Sequence, residues 1–284
     1  MNVDYVYKVD HMVQGGETIL SDNLQVHCGG KGLNQSIALS RAGIKVFHAG
    51  LIGTDGEVLL NACHTYGVSA EYVRKLPVRG GHTIIQVDRN GQNCIILYGG
   101  TNQMVNREYI DEVLENFGVG DYLVMQNEIS QMAYLIDRAY EKGMKLILNP
   151  SPYNGRLKEC SLEKVTLFLV NEIEGWQMTG EHDPQKIMDV IGFRWPGAHV
   201  VLTLGADGAW YSDGKMRTFQ DIYPVRTVDT TAAGDTFTGF FIASRLLGRT
   251  PQESLRMAAK AASIAVSREG AAESIPTMEE VEPQ

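Results

Sequence analysis

The residues best suited to chemistry lie in the segment from Asp229 to Phe237, which reads DTTAAGDTF. Its small side chains lead straight into an amphipathic helix, so an anion could reach free backbone N–H groups at the positive end of the helix dipole. Asp235, in the first turn, could simply stabilise the helix by its charge. The adjacent Gly234 and the second acid, Asp229, favour another role, because a carboxylate beside a phosphate-binding turn can take the proton of an attacking hydroxyl.

A second segment, Gly29 to Gln35, reads GGKGLNQ and precedes a predicted helix that ends at Gly43. Glycines at a helix start permit close approach of a ligand, and Lys31 and Asn34 add donors suited to sugar hydroxyls or phosphate. Taken alone, the segment is equally typical of a tight turn with a solvated lysine. The Asp235 segment favours the ligand-binding interpretation.

Asn171 and Glu174 follow the apolar run Leu167 to Val170. They therefore stand at the carboxyl end of a predicted parallel strand, where open α/β sheets bind ligands. They could coordinate magnesium or phosphate, or they could cap the next helix, and the spacing does not separate the two. Neither the P-loop pattern nor the dinucleotide-binding GxGxxG pattern occurs in the chain.

The elements that must position these residues follow an alternating pattern. From about residue 119 onward, short apolar runs alternate with helix-length amphipathic stretches, which predicts βαβ units around a mainly parallel sheet. The runs are Tyr122 to Met125, Leu146 to Leu148, Leu167 to Val170 and Val200 to Leu204.

A separate antiparallel element is predicted between Thr83 and Leu97, because two β-prone runs flank Arg89-Asn90-Gly91. Together with the β-prone segments Tyr5 to Val9 and Thr18 to His27, it would form a small sheet that acts as a lid. Near the C-terminus, one helix should begin at about Ala233 and end near Gly248. A second should begin at Thr250-Pro251 and end at Gly270.

Composition excludes several classes of function. The 284 residues carry a formal net charge of −9 without a basic run, which argues against binding to nucleic acid or to an anionic membrane. The four cysteines and seven histidines show no zinc-binding or disulfide spacing. We find no cleavable signal in the first residues and no apolar run long enough to cross a bilayer, so we expect a cytoplasmic protein.

In order along nearly the whole chain, the motifs resemble those of the ribokinase family of carbohydrate kinases. The GGKGLNQ form resembles the ribokinase branch more than the fructokinase or adenosine kinase branches. The matching segments are Asn2 to Asp4, Gly15 to Thr18, Gly29 to Gln35, Asn171 to Glu174, Thr203 to Gly208, Asp229 to Gly239 and Ala265 to Ser274.

The resemblance implies an α/β three-layer sandwich with a mainly parallel central sheet and a small β-sheet lid. The lid would comprise residues 1–28 and 80–98, and the sugar- and nucleotide-binding body residues 29–79 and 99–284. It also implies a homodimer formed through the lid. The implied reaction transfers the γ-phosphoryl group of ATP, with Mg²⁺, to the terminal hydroxymethyl group of a pentose, first of all D-ribose.

The resemblance also implies roles for individual residues. Asp235 would be the catalytic base, with the backbone of Ala232, Ala233 and Gly234 holding the transferred phosphoryl group. The implied sugar-binding residues are Asn2, Asp4, Gly30, Lys31, Asn34, Glu128 and Asp235. Asn171 and Glu174 would organise phosphates and Mg²⁺, the latter indirectly, and Thr203, Gly205 and Gly208 would border the nucleotide. An activating monovalent cation, K⁺, would lie at Asp229, Thr231, Ala265, Arg268, Gly270 and Ser274.

Three departures from the family pattern bear on these expectations. Relatives have a complete β-strand before the Asn-x-Asp motif, whereas this sequence starts at Met1-Asn2, so the first strand of the sheet is expected to be missing. Position 232 is Ala where many relatives carry Gly. The lid reads Gly81-His82-Thr83 where relatives more often have Thr-Gly, which leaves open a nucleoside, a deoxypentose or a hexose as substrate. A catalytically silent sugar-binding protein on the same fold is the alternative from another class.

Overall fold

The computed structural model describes residues 1–282. Its strands are, in chain order, β1 (Asn2–Lys8), β2 (Asn23–Gly29), β3 (Phe47–Ile52), β4 (Ser69–Lys75), β5 (His82–Val87), β6 (Asn93–Tyr98), β7 (Tyr122–Gln126), β8 (Lys145–Asn149), β9 (Leu167–Asn171), β10 (His199–Thr203), β11 (Ala209–Ser212) and β12 (Arg217–Gln220). Its α-helices are α1 (Lys31–Arg41), α2 (Glu57–Thr65), α3 (Arg107–Leu114), α4 (Met132–Glu141), α5 (Glu172–Thr179), α6 (Pro184–Arg194), α7 (Ala233–Leu246), α8 (Pro251–Val266) and α9 (Met278–Val281).

The largest sheet has six strands in the order β12-β11-β10-β9-β8-β7. Strands β7 to β10 are parallel, and β11 and β12 extend the sheet in antiparallel fashion. Alternate residues of the central strands face opposite sides: Leu169 and Val201 belong to the core on the α1, α7 and α8 side, and Phe168 and Leu202 to the core on the other. Because helices cover both faces, the strands are apolar throughout, as the sequence pattern predicted.

β3 and β4 form a separate two-stranded parallel sheet. Within residues 1–282, no strand lies between β3 and β7 to join this pair to the six-stranded sheet. The central sheet therefore consists of two pieces with a gap between them.

The small sheet has the order β2-β1-β5-β6, and β5 and β6 form the predicted hairpin. The Asn90-Gly91 pair lies in its turn, where Gly91 adopts a φ of 76°. The prediction of strand structure from Thr18 onward was wrong for residues 18–22. Ser21 forms a local turn instead, since its hydroxyl donates to the carbonyl groups of Lys8 and Asn23.

The two helices predicted near the C-terminus are both present. α7 begins at Ala233 and ends one residue before Leu247, close to the predicted end at Gly248. α8 begins with Pro251 after a capping box between Thr250 and Glu253, as predicted, but ends at Val266, four residues before Gly270. None of the helices in the described part of the chain is long and apolar enough to span a membrane.

Candidate active site

Polar side chains follow the carboxyl ends of four neighbouring parallel strands. Gln126 of β7 pairs in register with Asn149 of β8, and Asn171 of β9 pairs with Thr203 of β10. Carboxyl ends of parallel strands share one edge of a sheet, and ligands of open α/β sheets bind there. This edge is the floor of the candidate site.

α7 begins at this site with an open amino end. Its N-cap is Ala232, and no side chain accepts hydrogen bonds from the first-turn N–H groups. A methyl group built on Gly234 would meet no atom within 4 Å, so there is room in front of this turn. The Ala233 N–H donates to Thr230 O (3.3 Å), whereas those of Ala232 and Gly234 have no backbone partner in the described residues. These N–H groups, the helix dipole and the open space together form a site for an anion.

Ala232 adopts a left-handed conformation with φ of 58°. Only glycine takes this conformation without steric cost. We therefore expect Ala232→Gly to raise the free energy of unfolding by about 0.5–1 kcal/mol, since relief of the strain outweighs the added freedom of the unfolded chain. Thermal denaturation would measure this as a Tm increase of about 1–4 °C.

Ala233→Gly is the matched control, because Ala233, the first residue of α7, has no positive φ, so glycine there only adds freedom to the unfolded chain. This variant should lose stability. If Ala232→Gly were also less stable than the unsubstituted protein, the strain at position 232 would be disproved.

Asp235 accepts hydrogen bonds from two amide side chains of α1. Asn34 Nδ2 donates to Oδ2 (3.0 Å), and Gln35 Nε2 donates to Oδ1 (2.9 Å). Gln126 Nε2 donates in turn to Gln35 Oε1 (2.6 Å), which links the carboxylate to the edge of the sheet. The Oδ1 atom of Asn34 is buried without a partner among the described residues. The orientation of the carboxylate is thereby set, and one acceptor beside it remains for a ligand.

Burial is the main reason that the pKa of Asp235 is raised, to about 6. The positive charge of Lys31 and the two amide donors oppose this rise. Lys31 lies in the first turn of α1, where a positive charge is unfavourable to the helix itself. A carboxylate with a pKa near neutrality is suited to general base catalysis.

Two further carboxylates belong to the same electrostatic neighbourhood. Burial raises the pKa of Asp4, whose Oδ1 accepts a hydrogen bond from the hydroxyl of Thr83 (2.6 Å). The charge of Glu128 contributes to the raised pKa of both Asp4 and Asp235. Glu128 is thus close enough to influence both carboxylates, and Lys31 to influence Asp235. Acidic groups near one another are suited to binding several hydroxyl groups.

The backbone at Gly30 lies close to β1. Gly30 has a φ of 89°, and a Cβ there would lie 3.0 Å from the backbone nitrogen of Asn2. Asn2 itself is only 2% exposed, and its Oδ1 accepts a hydrogen bond from Asn102 Nδ2 (2.8 Å). In this structure Asn2 is therefore tied to Asn102, a residue that the sequence analysis did not select.

The residues expected to border the nucleotide form a second group. Asn171 and Glu174 form a reciprocal capping box at the start of α5, as one of the two alternatives left open by the sequence predicted. Thr203 pairs with Asn171, and Gly205 and Gly208 flank the short turn that follows. Within residues 1–282, no hydrogen bond joins this group directly to Asp235.

The residues expected to surround a monovalent cation lie in two loops that contact each other and in the last turn of α8. Asp229 Oδ1 accepts from the backbone nitrogen (2.9 Å) and hydroxyl (2.6 Å) of Thr231, and its Oδ2 accepts from the backbone nitrogen of Gly270 (3.1 Å). Ala265, at the end of α8, and Ser274, in the loop that follows, are both buried. The Arg268 side chain pairs with Glu280 (2.6 Å), so only its backbone is free to contribute to such a site.

A split parallel sheet with a separate small sheet, and a helix amino end that carries a carboxylate of raised pKa, are suited to phosphoryl transfer to a small molecule. The profile of the pfkB family carbohydrate kinases matches residues 1–278, and the chain belongs to this family. It is therefore a carbohydrate kinase, as its motifs indicated.

Named relatives agree with this assignment. The chain is 33% identical to a ribokinase of Haemophilus influenzae, over 99% of this chain and 94% of that protein. Its fold is similar to a crystal structure of ribokinase from Thermotoga maritima, with a TM-score of 0.88, 31% identity and coverage of 99% and 95% of the two chains. A structure of Arabidopsis thaliana ribokinase complexed with ribose and ATP superposes with a TM-score of 0.85 and 29% identity, over 99% and 94% of the two chains. The expected ribokinase-like fold is thereby confirmed.

Proposed function

We propose that this kinase transfers the γ-phosphoryl group of ATP to the terminal hydroxymethyl group of D-ribose. The observation that carries the proposal is the Asp235 carboxylate, with a pKa of about 6, beside the open amino end of α7. A hydroxyl group bound there would lie beside a base, and a phosphate bound there would lie at an anion site. The ribose and ATP bound to the Arabidopsis thaliana relative support this choice of substrates.

In this proposal Asp235 takes the proton of the attacking hydroxyl. The backbone N–H groups of Ala232, Ala233 and Gly234 hold the charge of the transferred phosphoryl group. Neither Asn34 nor Gln35 reacts, but their hydrogen bonds keep the carboxylate in one orientation. The contribution of the protein is therefore positioning and electrostatic stabilisation.

The sugar would be held mainly by charged and amide side chains. Asp4 and Glu128 accept hydrogen bonds from hydroxyl groups, whereas Lys31 and Asn34 face the same space from α1. The backbone of Gly30 permits close approach. Asn2 is hydrogen-bonded to Asn102. It would either support the backbone at Gly30 or turn toward the sugar when the sugar binds.

The nucleotide would lie along Thr203, Gly205 and Gly208. A Mg²⁺ ion bound with it would neutralise phosphate charge. Asn171 and Glu174 fit an indirect role toward this ion: the capping box uses Oε2 of Glu174 and leaves Oε1 to accept a hydrogen bond from metal-bound water. An oxygen donor of this kind suits Mg²⁺, which retains much of its water.

Two loops and the last turn of α8 fit the binding of K⁺ through backbone carbonyl groups; they contain Asp229, Thr231, Ala265, Arg268, Gly270 and Ser274. The Asp229 carboxylate is already engaged in three hydrogen bonds, two within its own loop and one from Gly270 of the other loop. It would therefore hold the carbonyl groups in place next to α7. We propose that the bound cation activates the enzyme by ordering the anion site.

Asp235 must be ionised to accept a proton, so we expect kcat/KM to fall as the pH is lowered through about 6. Lys31 lowers the pKa of Asp235, and its removal should therefore move this acid limb to higher pH. The measurement is the pH profile of kcat/KM for Lys31→Met. Lys215→Met, a change at an exposed lysine, should leave the profile unchanged. An acid limb that stays in place in Lys31→Met would contradict the assigned charge coupling.

Steady-state ADP release tests the proposed reaction. With ATP and Mg²⁺, ribose should give the highest kcat/KM among ribose, deoxyribose, fructose and several nucleosides, and K⁺ should raise it. A higher value with another sugar would transfer the assignment to that sugar. No turnover, combined with thermal stabilisation by a sugar, would instead indicate the silent binding protein.

We further propose that residues 1–28 and 80–98 form the lid and that two lids pair in a cytoplasmic homodimer. Ile95, Ile96 and Leu97 of β6 are 54%, 60% and 49% exposed, and such apolar strands favour association. Sedimentation velocity should show a dimer that Ile96→Lys converts to a monomer. Val119→Lys, at a residue that is 90% exposed outside the lid, should remain dimeric. A monomeric unsubstituted protein at tens of micromolar would contradict the proposal.

A further inference from the structure

Asp4 and Thr83 lie side by side on one face of the small sheet. β1 pairs with both β2 and β5, so that Asp4 stands opposite His27 on one side and Thr83 on the other. Neighbours that are in register in a sheet point their side chains to the same face. The carboxylate of Asp4, which binds the sugar in the proposed function, therefore has a threonine hydroxyl as a direct neighbour.

Close backbone contacts at Gly81 fix the start of β5. A Cβ at Gly81 would lie 2.6 Å from Asn2 Oδ1 and 3.0 Å from Gly99 O. Gly81 O in turn accepts a hydrogen bond from Val3 N (3.0 Å). Because no side chain fits there, β5 is held in one register against β1, and this register places Thr83 beside the carboxylate of β1.

The two oxygens of Asp4 have different surroundings. Oδ1 accepts a hydrogen bond from the Thr83 hydroxyl (2.6 Å). Oδ2 lies against the backbone of Gly29, where a Cβ would overlap with it. Within residues 1–282, Oδ2 accepts no hydrogen bond. Thr83 therefore holds one oxygen of the carboxylate, and the other is available to a donor from a ligand.

Both members of this pair are largely removed from water. Thr83 is 8% exposed, and burial raises the pKa of Asp4. The hydrogen bond from Thr83 opposes this rise in pKa, because it stabilises the ionised carboxylate. An ionised carboxylate can only accept hydrogen bonds, so a ligand must approach Oδ2 with a donor. A sugar hydroxyl is such a donor.

We propose that Thr83 is a positioning residue that holds Asp4 for one sugar hydroxyl and thereby makes the kinase prefer a pentose to its deoxy analogue. The inference rests on the proposed function, since it requires Asp4 to bind the sugar. The hydroxyl concerned is on the ring, because the terminal hydroxymethyl group is bound at Asp235. A site built to bond a hydroxyl disfavours an analogue that lacks it, because the buried acceptor is then left unpaired.

The selectivity ratio tests the proposal on the full 284-residue chain. This ratio is kcat/KM for ribose divided by kcat/KM for 2-deoxyribose or for 3-deoxyribose, each measured with saturating ATP and Mg²⁺. In Thr83→Val, kcat/KM for ribose should fall about tenfold, mainly through a higher KM, as expected for a weakened hydrogen bond to a charged group. For one of the two deoxy sugars it should change by less than about twofold, so the ratio falls about tenfold as well.

Three variants serve as controls. Thr83→Ser keeps the hydroxyl and should restore the ratio to within about threefold of the unsubstituted enzyme. Thr83→Ala removes the hydroxyl with a smaller side chain and should behave as Thr83→Val does, so the result does not depend on the folding of a single variant. Thr218→Val, at a strand threonine whose hydroxyl donates to Gln252, should leave kcat/KM unchanged for all three sugars.

A double substitution shows whether Thr83 acts through Asp4. In the Asp4→Asn background, Thr83→Val should no longer alter the ratio. An undiminished effect in that background would contradict the proposal.

Equal losses of kcat/KM for ribose and for both deoxy sugars in Thr83→Val and Thr83→Ala would mean that Thr83 is only structural. Such a result, with ribose still turned over by the unsubstituted enzyme, would overturn this inference alone. If the unsubstituted enzyme turned over none of the sugars, the proposed function and this inference would both be wrong.

Discussion

Replacing Asp235 by Asn should lower kcat by about 10²–10⁴-fold, the range typical of a lost general base. The substitution keeps the size of the side chain but removes its ability to take a proton. Asn34 can still bond to it, because this amide has a free Oδ1 that can accept from the new side-chain amide. We therefore expect sugar binding, measured by calorimetry without ATP, to change far less than kcat.

Asp221→Asn provides the matched control. Asp221 is an exposed aspartate whose carboxylate accepts only from the neighbouring backbone of Ile222, and its substitution should leave kcat unchanged. If Asp235→Asn retained the turnover of the unsubstituted enzyme, Asp235 would not be the base, and the proposed mechanism would be wrong.

The second large effect is expected at Gly239, one turn after Asp235 in α7. A Cβ at this position would lie 2.9 Å from the backbone nitrogen of Leu39 and 3.0 Å from the carbonyl carbon of Ala38 in α1. Because these are backbone atoms, one helix must move away from the other. We expect Gly239→Ala to lower the free energy of unfolding by about 2–3 kcal/mol, or the Tm by about 4–12 °C.

The same change should reduce kcat, because separation of α1 from α7 lengthens the hydrogen bonds of Asn34 and Gln35 to Asp235. Gly192→Ala is the control for a glycine in a helix: a Cβ there would meet no atom within 4 Å, and this variant should gain about 0.5–1 kcal/mol. Equal effects of the two substitutions on stability would rule out a close contact between α1 and α7.

The candidate site was predictable where the chemistry lies in one short segment. The small residues and the acid of the DTTAAGDTF segment are adjacent in the sequence, so the motif could be recognised directly. The structure forms an open helix start there. The hydrogen bond from Gln126 to Gln35 could not be predicted, because the two residues are 91 positions apart and an amide in a strand has no sequence pattern of its own. Asn102 was missed for the same reason.

The fold, too, was predictable in some segments and not in others. Periodicity identified the parallel strands, because burial on both faces leaves a continuous apolar run. It failed at residues 18–22, where the Ser21 hydroxyl competes with strand pairing by bonding to nearby carbonyl groups. For Asn171 and Glu174, spacing alone could not separate a cap from a ligand, since the same two residue types at the same spacing serve both roles.

The pairing of β1 with β5 places Asp4 and its partner Thr83 on the small sheet, whereas Asp235 belongs to the body of the molecule. A sugar that contacts both Asp4 and Asp235 bridges two parts of the protein. If the sugar contacts are as we propose, its arrival would draw those parts together before phosphoryl transfer, and its phosphorylated form would leave only when they separate. The time that the product stays bound would then be governed by how often the two parts open.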